Sequence, residues 1–261
     1  EYLNDYPDYY DVEIIETKGL MPTVELFRGY DVVINVAGIA HIKETDENRE
    51  LYYEINRDLS LNIAKNAKEA GVEQYILLSS MSVYGLVTGH ITKDTVPHPI
   101  NAYGDSKLQA DNIICNMEND LFKVVIVRPP MVYGKGCKGN YQTLRKFAIK
   151  SPIFPDYKNE RSMIYIGNLC EFMKCVIDRE DSGLFFPQNR EYVRTSAMVR
   201  TVARQHNKAI VMPRVFNIAI KVTPLTLVKK VFGSLTYEKT ELIGKYNFKE
   251  SMELTEGYER N

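Results

Sequence analysis

The chain has 261 residues, 44% of them hydrophobic, enough for a substantial core in one large domain or two smaller ones. Its 33 basic and 34 acidic side chains leave a formal net charge of −1, which gives no general pull toward nucleic acid or acidic surfaces. Cys115, Cys137, Cys170 and Cys175 lack the clustered spacing of a metal site and read as reduced thiols of a cytoplasmic protein; no secretory signal and no apolar run of about 18 residues points to export or a membrane span.

The opening stretch, "EYLNDYPDYYDVEIIETKG", begins without a methionine and reads as the tail of a helix followed by a strand at 12–15. Further strands are predicted at 31–38 ("DVVINVAG"), 74–80 ("QYILLSS") and 123–129 ("KVVIVRP"), with amphipathic helices at about 47–70 and 101–119 between them. This alternation predicts a parallel sheet with helices on both faces, and the nearly continuous Val/Ile/Leu of the strands suits strands covered on both sides. After residue 130 come a loop with Gly134, Gly136 and Gly139, a helix near 141–149, a short strand at 162–166, a helix at 167–178 and shorter elements. The expected division is therefore an α/β domain over 1–134, to which later segments return, and a smaller portion over 135–261. That portion is expected to lie over the C-terminal ends of the strands, where ligands of open α/β sheets bind. The basic, amphipathic stretch "PRVFNIAIKVTPLTLVKKVFG" at 213–233 raises an interfacial reading, but Pro213 and Pro224 break it and a docked helix explains it equally well.

Within the helix at 101–119, "NAYGDSKLQAD" places Tyr103 and Lys107 one turn apart on a single face. A neighbouring ammonium favours the phenolate, so the pair predicts a tyrosine pKa lowered toward the working pH, where a proton donor and acceptor is most useful. Three other features accompany it. The strand at 31–38 ends in the small residues Ala37 and Gly38, against which a flat cofactor can lie. "SSMSVYG" puts the Ser80 hydroxyl at a strand's C-terminal tip, and Pro129 with Pro130 forms a rigid wall after the next strand.

These pieces, "NVAG", "LLSSMSVYG", "NAYGDSKLQAD", "VRPPMVYGKG" and "NERSMIYIGNL", resemble the extended short-chain dehydrogenase/reductase family of NAD-dependent sugar epimerases and dehydratases over residues 31 to about 178. The likeness is greatest to bacterial nucleotide-sugar 4-epimerases and 4-ketoreductases of polysaccharide biosynthesis. It implies a Rossmann-type doubly wound parallel sheet with a C-terminal substrate-binding portion. It also implies Tyr103 as general acid/base, Lys107 as the residue that lowers its pKa and holds the nicotinamide ribose, and Ser80 as the hydroxyl binding the reacting oxygen. Asn56 would support the site, with a solvated helix polar as the alternative. The cofactor would be NAD, with NADP the alternative, held by Glu16, Ala37, Gly38, Ser79, Tyr103, Lys107, Pro129 and Pro130; Glu16 at the end of the strand at 12–15 would favour NAD. Arg161 in "NERS" would clamp a nucleotide diphosphate, a task suited to a forked guanidinium. No metal and no nucleic acid is implied, and a homodimer paired through the helices at about 47–70 and 101–119 is.

The sequence departs from the family pattern in three places. The glycine-rich turn that seats the pyrophosphate does not occur, Gly19 and Gly29 being wrongly placed, so the first strand and its loop, about 15–20 residues, are expected to precede the printed sequence. Met131 replaces an asparagine that touches the sugar-nucleotide phosphates in many relatives, with Asn140 as a substitute. Met81 and Ser82 stand where 4,6-dehydratases carry an Asp-Glu pair, which argues against dehydration. His41, three residues after Gly38, is either a substrate contact or a structural helix-start residue. The implied function is C4 epimerisation of a UDP-hexose or UDP-N-acetylhexosamine through a 4-keto intermediate. The alternatives are a UDP-4-keto-6-deoxyhexosamine 4-ketoreductase and a reductase of a non-nucleotide carbonyl. A non-catalytic cofactor sensor on the same fold is disfavoured by the intact Ser80, Tyr103 and Lys107.

Overall fold

A computed structural model of the protein describes residues 2–40, 42–239 and 244–257. The described residues form two compact units: one from within 1–85, 96–129 and 170–186, the other from within 86–95, 130–169 and 187–261.

The first unit is built on four parallel strands, β1 (Val32–Asn35), β2 (Gln74–Leu78), β4 (Lys123–Val127) and β7 (Gly183–Phe185), in the order β1-β2-β4-β7; β3 (Gly89–Ile91) belongs to the second unit. Residue alternation sorts the two faces. Tyr75 and Leu77 pair in register with Val124 and Ile126, so all four project to one side and pack against Ile63, Ala64 and Ala67 of one helix and Ala110 and Ile114 of another. These helices are α2 (Ser60–Ala70) and α3 (Ala102–Cys115). The opposite face meets α5 (Ile166–Asp178), where the Gln74 side chain donates to the Val176 carbonyl at 3.1 Å. Helices on both faces explain why β2 and β4 are apolar almost throughout.

The expected helix at 47–70 is continuous but not uniform. It runs as α1 (Arg49–Tyr53), one π-helical turn over Glu54–Leu59, and α2, which Gly71 ends at φ 90°. The strand expected at 31–38 stops at Asn35 because that residue's side chain accepts from the Ala37 N–H at 2.9 Å, turning the chain out of the sheet. The strand expected at 12–15 does not form. A strand exists only through a ladder, and among the described residues β1 pairs with β2 alone. Ile15 nonetheless packs against the core while Ile14 is exposed.

In the second unit, β5 (Met131–Tyr133) pairs in parallel with β6 (Met163–Tyr165), and β3 pairs with β8 (Leu235–Tyr237). Helices α4 (Asn140–Lys150), α6 (Thr195–Gln205) and α9 (Phe248–Glu256) close a core of Tyr133, Tyr141, Phe154, Met163, Met198, Val202 and Met252. Helices α7 (Asn217–Val222) and α8 (Thr226–Phe232) bury no residue.

Candidate active site

At its N-terminus α3 is fixed by Asn101, whose side chain accepts from the Gly104 N–H at 2.8 Å. Gly104 allows a close approach: a Cβ there would stand 2.6 Å from the Ser82 carbonyl oxygen, so no larger residue lets α3 lie this near the turn at Met81–Tyr84. Ser80 caps that turn, accepting from the Ser82 N–H at 3.1 Å, and its side chain lies near enough to the Tyr103 hydroxyl to favour the phenolate. Two sequence-remote hydroxyls are thus brought together by one missing methyl. The Tyr103 ring also meets buried Tyr52 at a centroid distance of 6.3 Å.

One turn along α3, Lys107 is buried and donates to the Leu78 carbonyl at 2.9 Å, at the end of β2. A Cβ on Gly38 would stand 3.0 Å from its ammonium and 2.9 Å from the Asn56 Oδ1, which explains why the chain is bare of a side chain there. Asn56, carried on the π-helical turn and fully buried, is not a solvated helix polar. Its Oδ1 accepts from the Ile39 N–H at 2.9 Å, and its Nδ2 donates to the Ile39 carbonyl at 3.2 Å and to the Ser106 hydroxyl at 3.1 Å. It ties the loop after β1 to α3. π-turns concentrate at such positions because the extra residue re-aims a side chain.

The electrostatics differ from the expectation drawn from spacing. The Tyr103 pKa is raised, because burial disfavours the phenolate more than the Ser80 hydroxyl favours it. Lys107 is not among the groups that shift Tyr103; burial lowers its own pKa to about 8, against the pull of Asp111. The corrected picture is a neutral phenol near Ser80, one turn from an ammonium that titrates in a usable range.

Sequence reasoning missed what lies beneath. Asp111, one turn beyond Lys107, accepts from the Ser79 hydroxyl at 2.8 Å and from Arg128 at 2.9 Å, and Arg128 donates on to the Tyr84 hydroxyl at 2.8 Å. Burial raises the Asp111 pKa to about 6, with Arg128, Ser79 and Lys107 opposing. Ser79 therefore faces this buried network. The available signal was the Lys107–Asp111 spacing, which continues the Tyr103 face of the helix.

The other expected residues are more dispersed. Pro129 and Pro130 are buried after β4, and the Pro129 carbonyl accepts from the Met81 N–H at 3.0 Å. Ala37 and Gly38 lie in the loop after β1, whereas Glu16 is exposed in an irregular segment rather than at a strand end. In the second unit, Asn140 is exposed at the start of α4 and Met131 is half-buried. Arg161 donates from Nη1 to the Gly233 carbonyl at 2.9 Å, with no carboxylate paired to it among the described residues, and burial lowers its pKa. His41 lies outside the described residues.

Ala37–Gly38, Ser79–Ser80 and Pro129 all follow the carboxyl ends of parallel strands, the side where α/β sheets take dinucleotides. With the Tyr103 phenol and a buried Lys107 ammonium beside a glycine, this donor set fits the nicotinamide–ribose half of such a cofactor. The fold and these residues together outline a candidate dinucleotide site on an α/β sheet. Residues 10–193 match the model of the NAD dependent epimerase/dehydratase family, and the chain belongs to that family. It is 33% identical over 183 residues to a UDP-glucose 4-epimerase of Vibrio cholerae, covering 66% of this chain and 56% of that protein. It is 32% identical over 161 residues to an N-acetyl-alpha-D-glucosaminyl-diphospho-ditrans,octacis-undecaprenol 4-epimerase of Escherichia coli O157:H7, covering 59% of this chain and 48% of that protein. The chain thus spans about half the length of these relatives. Among solved structures, a UDP-glucuronic acid 4-epimerase from Bacillus cereus in complex with NAD shares the fold with a TM-score of 0.71 at 17% identity, over 89% of this chain and 74% of that one. A dTDP-4-dehydrorhamnose reductase from Bacillus anthracis in complex with NADP does so with 0.71 at 18% identity, over 95% and 90%.

Proposed function

We propose that the protein is an NAD-dependent sugar-nucleotide 4-epimerase acting on a UDP-hexose or UDP-N-acetylhexosamine. The observation that carries this reading is the close approach of α3 at Gly104 to the Ser80 turn, with Tyr103 beside that contact and Lys107 buried one turn along the same helix. When bound, the nicotinamide takes up and gives back the hydrogen of the sugar C4. Ser80 holds the C4 oxygen; Tyr103, once it has given up its own proton to solvent, takes the C4 hydroxyl proton as a phenolate while the keto group forms, and as a phenol returns it when the alcohol is restored. Lys107 would grip the cofactor ribose and steady the Tyr103 phenolate before it takes the C4 proton and after it gives it back. The first unit is the cofactor-binding one in this reading, with Glu16, Ala37, Gly38 and Pro129 lining it, Ser79 holding the Asp111 network beneath and Asn56 supporting it, while Pro130 opens the second unit. The second is the substrate-binding one, where the Arg161 guanidinium, free of a carboxylate, receives the diphosphate and Asn140 assists. Two relatives support C4 chemistry by being 4-epimerases of diphosphate-linked sugars. Met131, in place of a polar phosphate contact, keeps a 4-ketoreductase as the second reading. We extend the proposal to a homodimer through α3 and the helix at 49–70, whose outer faces expose Ile113 and Leu51.

The test is to incubate the full-length protein with NAD and UDP-glucose, UDP-N-acetylglucosamine or a UDP-4-keto-6-deoxyhexosamine. Epimers of either of the first two support the epimerase, and consumption of reduced cofactor with the third alone selects the ketoreductase. Inactivity with all three and no UDP affinity would overturn both.

A further inference from the structure

The stretch from Tyr192 to Tyr237 contains no Asp or Glu but eight basic residues, in a chain whose net charge is −1. Its middle projects outward. Val215, Phe216, Ile218, Val222, Leu225 and Leu227 are 46 to 77% exposed, on or beside α7 and α8, where only the end of α8 at Val231 and Phe232 reaches the core. The segment is nevertheless anchored: Met212 before it and Phe232 at its end pack on the core, and the Asn217 side chain donates to the Asp156 carbonyl at 3.0 Å. Lys221, Lys229 and Lys230 stand among the apolar side chains. A cavity of about 250 Å³ adjoins α7 and α8; Lys158, Lys221 and Lys229 line it together with Thr88, Thr223 and Ser234, and no carboxylate does.

We propose that the α7–α8 surface docks on an anionic lipid bilayer, its aliphatic side chains entering the headgroup boundary and its lysines meeting lipid phosphates. Exposed apolar side chains interleaved with lysines are the composition of an interfacial element, and a continuous patch of this kind on a folded surface marks a binding face. Among the described residues Asp156 pairs with Arg200 and Arg214 but leaves Lys221, Lys229 and Lys230 unpaired, so self-pairing about a two-fold axis would set one lysine-bearing surface against another, which like-charge repulsion opposes. A nucleic acid would use the lysines and leave the aliphatic side chains in water. Among the described residues no helix is long and apolar enough to cross a membrane, so the contact is peripheral.

The test is co-sedimentation with vesicles of equal parts phosphatidylglycerol and phosphatidylcholine, and with vesicles of phosphatidylcholine alone. The protein should bind the first, lose binding as salt rises, and ignore the second. A basic side chain at an anionic leaflet is worth about a fivefold gain in binding, so Lys221→Gln/Lys230→Gln should bind about 25-fold more weakly. Ile218→Ser/Leu227→Ser should not bind. All four side chains are exposed, so both variants should fold as the parent does and turn over dissolved sugar nucleotides at its rate, which separates this proposal from the catalytic one. No binding to anionic vesicles, or binding that both variants retain in full, would overturn it. So would a dimer, seen by light scattering, that Ile218→Ser/Leu227→Ser dissociates without any vesicle binding.

Discussion

At the scale of single residues, the proposed function rests on the Tyr103 oxygen and the charge of Lys107. Tyr103→Phe keeps the ring contact with Tyr52 and removes only the proton carrier, so turnover should fall about 100- to 10,000-fold with the fold intact. Circular dichroism and a turnover assay on the same sample check this, and near-parent activity would refute the assigned role. The pH profile probes Lys107 separately. Burial has lowered its pKa to about 8, so its charge is present below that pH and lost as pH rises through it. kcat/KM should therefore decline above about pH 8, and a level profile to strongly alkaline pH would show that the charge is not needed. The Tyr103–Lys107 pair was legible in the sequence because helical spacing places the two on one face. The direction of the tyrosine's shift was not, because burial depends on Tyr52 and on chain segments that no local spacing reveals.

At the scale of elements, the site depends on how α3 meets the ends of β2 and β4. Gly104→Ala would force its Cβ against the Ser82 carbonyl and push α3 from the Ser80 turn, so activity should fall more than stability. The ratio of the losses in kcat and in melting temperature measures that difference, and unchanged kcat would show that the close approach is dispensable. Beneath the site, Arg128→Met leaves the buried Asp111 carboxylate without its ion pair and should cost about 3–5 kcal/mol at pH 8. The sign with pH follows from Asp111. Its folded pKa, about 6 with Arg128 present, lies above the ordinary 3.8, so burial penalises the ionised form as pH rises through this window. Denaturant titrations should show a smaller cost at pH 5 than at pH 8, and an equal cost at both would contradict the pairing. The regular elements were largely readable, since β2 and β4 are nearly continuous apolar runs and α3 opens on the capping residue Asn101. The strand at 12–15 was misread because pairing, not composition, makes a strand. The π-turn at 54–59 was invisible because it serves the buried bonds of Asn56 to Ile39 and Ser106. Asp111 and Arg128 read as ordinary polar residues until the fold brought them together.

At the scale of the molecule, the two units divide the work in this reading, the first holding cofactor and catalytic side chains, the second holding the diphosphate. Arg161→Ala should weaken UDP binding by about 1.5–3 kcal/mol, the range for a charge-assisted hydrogen bond, and leave cofactor affinity nearly unchanged. Calorimetry with each ligand checks the division, and equal losses for both would show that Arg161 supports the fold instead. The central claim, C4 epimerisation driven by the Ser80–Tyr103–Lys107 arrangement, is tested most directly by following UDP-glucose and UDP-N-acetylglucosamine by NMR in the presence of NAD, with the parent protein and with Tyr103→Phe. The account predicts that the parent brings one of these sugars to equilibrium with its C4 epimer while the variant, under the same conditions, leaves it unchanged. Epimerisation by the variant at the parent's rate would contradict it.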